Sequence, residues 1–323
     1  MAAQPYMSRP VALAFICAWL MQAVCPAFGQ AYPSKPIRIV TSSAGGGTDF
    51  LSRVLANGIS GSLGQQIIVD NRSPALTGIV VAQAPPDGYT LSLNGTSFWL
   101  APLLQTKPTY NGVTDFAPIT LMTTSPSLIV VHASLPTRSV KELIALAKAR
   151  PGELNYGSST LGAPTHLAAE LFKSMAGVDI ARVSYKGNGP ALLALIAGEV
   201  QLMFTAAGSA TAHIDASRLR ALAVASAKPT ALAPGLPTVA EIVPGYVVAS
   251  TYGLLAPAKT PVAIIQRLNQ EVLRFIHTPS VKEQLFKSGI EVVGSTPEQF
   301  AATIETDLRV WGKLIKSIGV KTD

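Results

Sequence analysis

Between Ile37 and Ala56 the chain reads IRIVTSSAGGGTDFLSRVLA: an apolar run, two serines, three glycines, then Thr48, Asp49 and an amphipathic stretch. Glycine lets a ligand approach the backbone closely, and a helix start behind it supplies unpaired N–H donors. A phosphate loop needs a lysine and a Ser or Thr after its last glycine. Here Thr48 and Asp49 follow Gly47, and a carboxylate there repels phosphate. For a dinucleotide, Gly45 and Gly47 fit G-x-G and Asp70 is spaced to meet a ribose, but Phe50 takes the third glycine position and blocks helix–strand packing. A plain tight turn would also use glycine for its dihedrals. Against that, the pattern recurs in NGTS (94–97), GSSTLGAPT (157–165) and KGNGP (186–190), each after a strand-like run. Open parallel sheets bind ligands at the carboxyl ends of their strands. Loops of this kind suit anions without a formal cation, and no Lys or Arg lies inside the first two, so a carboxylate is the expected ligand. Asp49, at a helix start, is expected to order its own loop.

Other chemistries lack their parts. There is no G-x-S-x-G elbow, because Gly157 and Leu161 flank Ser159. The four histidines, His132, His166, His213 and His277, are isolated and lack metal-ligand spacing. His166, in the first turn after a candidate loop, reads as a packing or capping group. The expectation is a binding protein rather than an enzyme, with no catalytic residues, metal or cofactor.

The chain that must position these loops has 323 residues. Its first 31 read as a signal peptide: Arg9, the apolar run VALAFICAWLMQAV (11–24), then small residues at Ala27, Gly29 and Ala31 that suit cleavage after Gly29 or Ala31. Both cysteines, Cys17 and Cys25, fall in that segment, so an exported mature chain would have no disulfide or thiolate site. What remains is enough for two domains of ordinary size. The formal charge is +7, but only 13% of residues are charged, and Lys and Arg are scattered. That distribution argues against nucleic acid and fits a weak attractive field for small anions.

Strand and helix signals alternate. Strands are expected at 36–42, 65–72, 89–93, 127–136, 154–160, 181–187, 200–208, 219–226 and 247–258. Helices are expected at 48–64, 139–152, 164–177 and 190–200, and three more at the end. Ser139 with Glu142, Ser280 with Glu283, and Thr296 with Gln299 read as capping boxes. This βαβ order implies an α/β fold with a largely parallel sheet.

Stretches running in register from about Tyr32 to the C-terminus resemble the Bug family, the extracytoplasmic solute receptors of tripartite tricarboxylate transporters. They include YPSKPIRIVTSSAGGGTDFLSR, VDNR, PPDGYTL, HLAAELFKSMAGVDIARVSYKGNGPALLALIAGEVQLMF, LPTVAE, YGLLAPAKTP and GSTPEQFA. The resemblance implies a two-lobed periplasmic binding protein of the type II, Venus-flytrap class. Residues 32–126 with 250–323 would form one lobe and 127–249 the other, with hinges near Pro126–Val131 and Val247–Tyr252. It implies a small carboxylate held between two loops by amides, hydroxyls and water. The positions carried over are Ser42, Ser43, Gly46, Gly47, Thr48 and Asp49 in the first loop, Thr96 and Ser97 after the third strand, and Ser158, Ser159, Thr160, Gly162 and Thr165 in the second loop. It also implies membrane transporter subunits as partners, and a monomer.

Three departures from the family form stand out. Ser42–Gly47 replaces the common PFPPGG and makes the loop more polar. Thr205 stands where the family often has Asp after LMF, which lessens repulsion of a second carboxylate. The stretch between Arg72 and Pro85 is about three residues short, nearly one helical turn, and bears on the short helix usual there. Two rivals stay open from sequence: a periplasmic subunit that reports the same ligand to a sensor kinase, and an enzyme on the same fold.

Overall fold

The β-branched run Ile37–Thr41 forms β1, and the computed structural model continues the alternation through the residues it describes, 32–42, 44–159 and 161–319. The signal segment and both cysteines lie outside them. After β1 come α1 (Gly47–Leu63), β2 (Ile67–Asn71), α2 (Pro74–Ala82), β3 (Thr90–Gly95) and α3 (Thr96–Leu104). β1 lies between β2 and β3, parallel to both. A long strand, β4 (Phe116–His132), leads to α4 (Val140–Ala149), β5 (Asn155–Ser158), α5 (Pro164–Ala176), β6 (Ala181–Ser184), α6 (Asn188–Ala197), β7 (Leu202–Ala206), α7 (Ala207–Asp215) and β8 (Leu219–Val224). β5 pairs in parallel with β6 and β7. A second long strand, β9 (Ala249–Pro257), precedes α8 (Val262–Ile276), α9 (Pro279–Lys287), β10 (Glu291–Val292) and α10 (Pro297–Ile318).

The sheet runs β2-β1-β3-β9-β4-β7-β5-β6, with β8 and β10 also on β4. β4 joins its two parallel stretches. Residues 116–126 pair antiparallel with β9, and from Ser127 onward β4 pairs with β7 and β8. β9 enters beside this changeover, where Ser127 N–H donates to Val248 O (3.2 Å) and Val248 N–H to Ala225 O (2.7 Å). This is the α/β periplasmic binding-protein fold with two crossing strands. Its core is aromatic on both sides of the crossing. Trp99 meets Phe300 edge-on at 5.6 Å between ring centroids, and Phe172 meets Tyr246 at 5.8 Å. Buried aromatic pairs of this kind add about 0.5–1.5 kcal/mol beyond their burial.

Several local expectations change. β4 starts at Phe116, eleven residues before the strand expected at 127; Pro118 and Pro126 break the alternation of this stretch, yet both sit in the ladder with β9. α7 occupies residues with no apolar stripe. The shortened segment after Arg72 still forms a helix, α2, with Pro74 in its first turn. The expected Ser280–Glu283 box is absent, because α9 begins with Pro279 after Thr278 and places Ser280 inside the helix. At α4 half a box forms: Ser139 Oγ accepts from Glu142 N–H, while the Glu142 carboxylate accepts from Arg138 N–H. The Thr296–Gln299 box is complete.

Candidate functional site

The pairings fix where ligand loops can meet. β3 opposes β9, β9 opposes β4 and β4 opposes β7, so β1 and β3 run against β5 and β7. Both parallel stretches therefore aim their carboxyl ends at the level where β4 changes partner. Helices α1, α3 and α5 begin there on Gly46, Gly95 and Ala163, all in extended backbone and all without a side-chain cap. Their first N–H groups have no partner inside the helix.

The glycine loop is organised by Asp49. Its Oδ2 accepts from Gly45 N–H (2.9 Å), and its Oδ1 accepts from Asn71 Nδ2 (3.0 Å) and faces Arg53 Nε (2.9 Å). The Gly45 bond, then the Asn71 bond, hold this carboxyl below the usual carboxylate range. Asn71 also donates to Ser42 O (2.9 Å), and the Ser42 and Thr48 hydroxyls bond to each other. The positive φ of this loop is at Gly45 (81°). Gly47 is instead the first helical residue, and a Cβ there would stand 3.2 Å from the hydroxyl of Tyr252. Asp70, the ribose candidate, is engaged by Arg72 and Arg38.

The serine loop is closed on itself. Ser159 N–H donates to Thr165 Oγ1 (3.2 Å), and the two hydroxyls lie 3.1 Å apart. Gly162 N–H donates to His166 Nδ1 (3.0 Å), which leaves the imidazole proton on Nε2. Burial, reinforced by the charge of Arg182, pushes this imidazole down to about 4, so it is neutral near pH 7. Arg182 supports the loop from β6: its Nε donates to Ser158 Oγ (2.8 Å) and its Nη2 to Ser159 O (2.7 Å).

A cavity of about 90 Å³ lies between these regions. It is lined by Thr96 and Ser97 at the start of α3, Gly162 and Pro164 from the serine loop, Ser127 at the β4 changeover, and Tyr252. Leu100, Leu104 and Trp311 add apolar walls, and no charged side chain lines it among the described residues. Thr96 Oγ1 lies 2.7 Å from Thr251 Oγ1. Of the positions carried over from sequence, Thr96, Ser97 and Gly162 reach the cavity. Gly47 adjoins it through Tyr252. Ser42, Gly46, Thr48 and Asp49 lie outside the lining, as do Ser158, Ser159 and Thr165 in the second loop. Thr205 is buried in β7 opposite Leu128, also outside it. Ser43 and Thr160 lie outside the described residues. Sequence reasoning missed Tyr252, Ser127, Trp311 and Arg182. The first two sit on the crossing strands, and only the hinge expectation pointed near them.

Residues 51–320 match the family profile described as tripartite tricarboxylate transporter family receptor. The chain is 34% identical over 304 residues to protein BugT of Bordetella pertussis (strain Tohama I), covering 92% of this chain and 93% of that one. Among solved structures it is similar to R. palustris Rpa4515 with adipate, at TM-score 0.75 and 36% identity, over 90% of this chain and 99% of that one. It is also similar to MatC (Rpa3494) from Rhodopseudomonas palustris with bound malate, at TM-score 0.72 and 27% identity, over 88% of this chain and 100% of that one.

Proposed function

Because this chain belongs to the Bug/TctC family of tripartite tricarboxylate transporter receptors, we propose that its cleft captures a small dicarboxylate and delivers it to the membrane subunits of such a transporter. The family is one of periplasmic, non-enzymatic solute receptors, and this chain is one of them. The observation that carries the reading is the composition of the junction. The uncapped starts of α3 and α5 and several hydroxyls line a cavity with no charged lining residue among the described residues, and the uncapped start of α1 adjoins it through Tyr252. Neutral donors aligned with helix axes stabilise a carboxylate without a cation. Adipate and malate, carried by two family structures, are the natural first probes.

In this reading one lobe is built on β1–β3 and the other on β5–β8, with β4 and β9 as hinges. A dicarboxylate bridging the glycine and serine loops favours closure, and the closed form is what the membrane subunits recognise. The receptor works as a monomer. Ser42, Gly46, Thr48, Ser158, Ser159 and Thr165 shape the two loops around the ligand, and Thr205 spares a second carboxylate an acidic neighbour.

A thermal-shift screen of the mature protein against a carboxylate panel tests this. A true ligand at a hundred times its dissociation constant adds about 2.7 kcal/mol of stability. A panel in which only sugars or cations stabilise the protein overturns the reading. Capture of the ligand-bound protein by a sensor ectodomain, and not by transporter membrane subunits, overturns the delivery step.

A further inference from the structure

Tyr252 is the one phenol lining the cavity among the described residues. It stands on β9, four residues past the point where that strand meets Ser127. Two glycines from different segments border its ring. A Cβ on Gly47 would lie 3.2 Å from the Tyr252 hydroxyl, and a Cβ on Gly95 would lie 2.9 Å from Thr251 O as well as 3.2 Å from Tyr252 Cδ1 and 3.3 Å from Cε1. Real Cβ atoms rarely come so close. The glycine before α3 and the glycine that opens α1 thus leave room for one aromatic ring, whose hydroxyl end lies over the first turn of α1. Burial raises the phenol from its ordinary value, against a hydrogen bond from Ser250, so it keeps its proton at neutral pH and stays a donor.

We propose that Tyr252 is a ligand-contacting, specificity-determining residue: its hydroxyl donates to the carboxylate held at the start of α1 and links the glycine loop to the cavity. This assignment rests on the carboxylate reading above. A carboxylate oxygen at the α1 start meets unpaired N–H groups on one side and the phenol on the other. An amide end offers these donors one neutral carbonyl oxygen where a carboxylate offers two that share a negative charge, so it gains less from the helix start and the phenol. Gly47 serves the ligand indirectly, by leaving room for the phenol that touches it, while Gly95 makes room both for the ring and for the Thr251 carbonyl.

The test is calorimetry with adipate and with malate on wild type, Tyr252→Phe, Gly47→Ala and the double variant, with melting midpoints recorded without ligand. Tyr252→Phe keeps the ring, so its midpoint stays near wild type while it binds the acid about tenfold more weakly. The clash created by Gly47→Ala is with the hydroxyl, so Gly47→Ala costs less stability on the Tyr252→Phe background than alone. Affinity remains low in the double variant. Wild-type affinity in Tyr252→Phe overturns the assignment and leaves the carboxylate reading standing. Equal costs of Gly47→Ala on both backgrounds overturn the placement of the hydroxyl. A wild type that binds neither probe nor any acid of the panel overturns the carboxylate reading, and the assignment falls with it.

Discussion

The glycine loop before α1 and the serine loop before α5 follow equivalent parallel strands, yet they distribute their polar groups in opposite ways. The first hangs on a carboxylate from its own helix, Asp49, and leaves Gly46 and Gly47 exposed to solvent. The second buries Ser158, Ser159, Thr165 and His166 and satisfies its N–H groups internally, through Thr165 and His166. An exposed loop with open donors can receive an anion as it stands. A closed loop serves better as a fixed wall, held by Arg182 from outside. Affinity should therefore depend most on the first loop, and stability most on the second.

Gly47→Val should give the largest loss of affinity. Its branched side chain meets the Tyr252 hydroxyl, 3.2 Å from the Cβ position, and covers the helix-start donors where the carboxylate binds, so the loss exceeds about tenfold. Titration with adipate, after circular dichroism confirms folding, measures it; wild-type affinity would reduce the glycine loop to a turn. Asp49→Asn comes next. The charged acceptor of Gly45 N–H, Asn71 and Arg53 is lost; a hydrogen bond to a charged group contributes about 1.5–3 kcal/mol to stability, and affinity falls only through the loosened loop. Partners this numerous make the effect larger than a loop-ordering carboxylate suggests from sequence alone. The native Asp49 carboxyl lies below its usual range, so the order it confers persists at neutral and mildly acidic pH. That order is lost only as pH falls through the depressed value.

The serine loop should respond in stability. His166 is held down to about 4 against about 6.5 when unfolded, so between those values the unfolded chain binds more protons. Stability from this group is therefore complete above about pH 6.5 and declines as pH falls toward 4. Melting curves across that window should be flatter for His166→Gln than for wild type, and identical slopes would dissociate His166 from the loop. Thr165→Val should have the smallest effect, about 0.5–1.5 kcal/mol of stability with affinity nearly unchanged, because its hydroxyl is already paired with Ser159. A loss of affinity at unchanged melting midpoint would move Thr165 into direct ligand contact.

Most of the architecture was legible because apolar strand runs, glycine-rich turns and amphipathic helical stripes alternate along the chain. The exceptions have local causes. Thr120, Thr123 and Ser125 of β4 are buried polar residues between two prolines, and such a stretch carries no strand periodicity. α7 follows β7 with no intervening loop and is built from small residues, so it has no stripe to read. Within the site, the glycines and hydroxyls were visible because loops announce themselves by composition. Tyr252, Trp311 and Arg182 were not, since each comes from a regular element outside the loops: Tyr252 and Trp311 reach the cavity only through strand crossing or helix packing, and Arg182 reaches the serine loop from the neighbouring strand. The glycine triplet suggests room for a ligand, and at Gly47 part of that room adjoins the hydroxyl end of Tyr252.

Calorimetric titration of the mature protein with adipate and, in parallel, with its diamide tests most directly whether neutral donors select a carboxylate. Both compounds have the same chain length and differ in the charge of their ends. The account predicts that the diacid binds and the diamide gives no measurable heat at the same concentrations. Equal affinity for the two would contradict it.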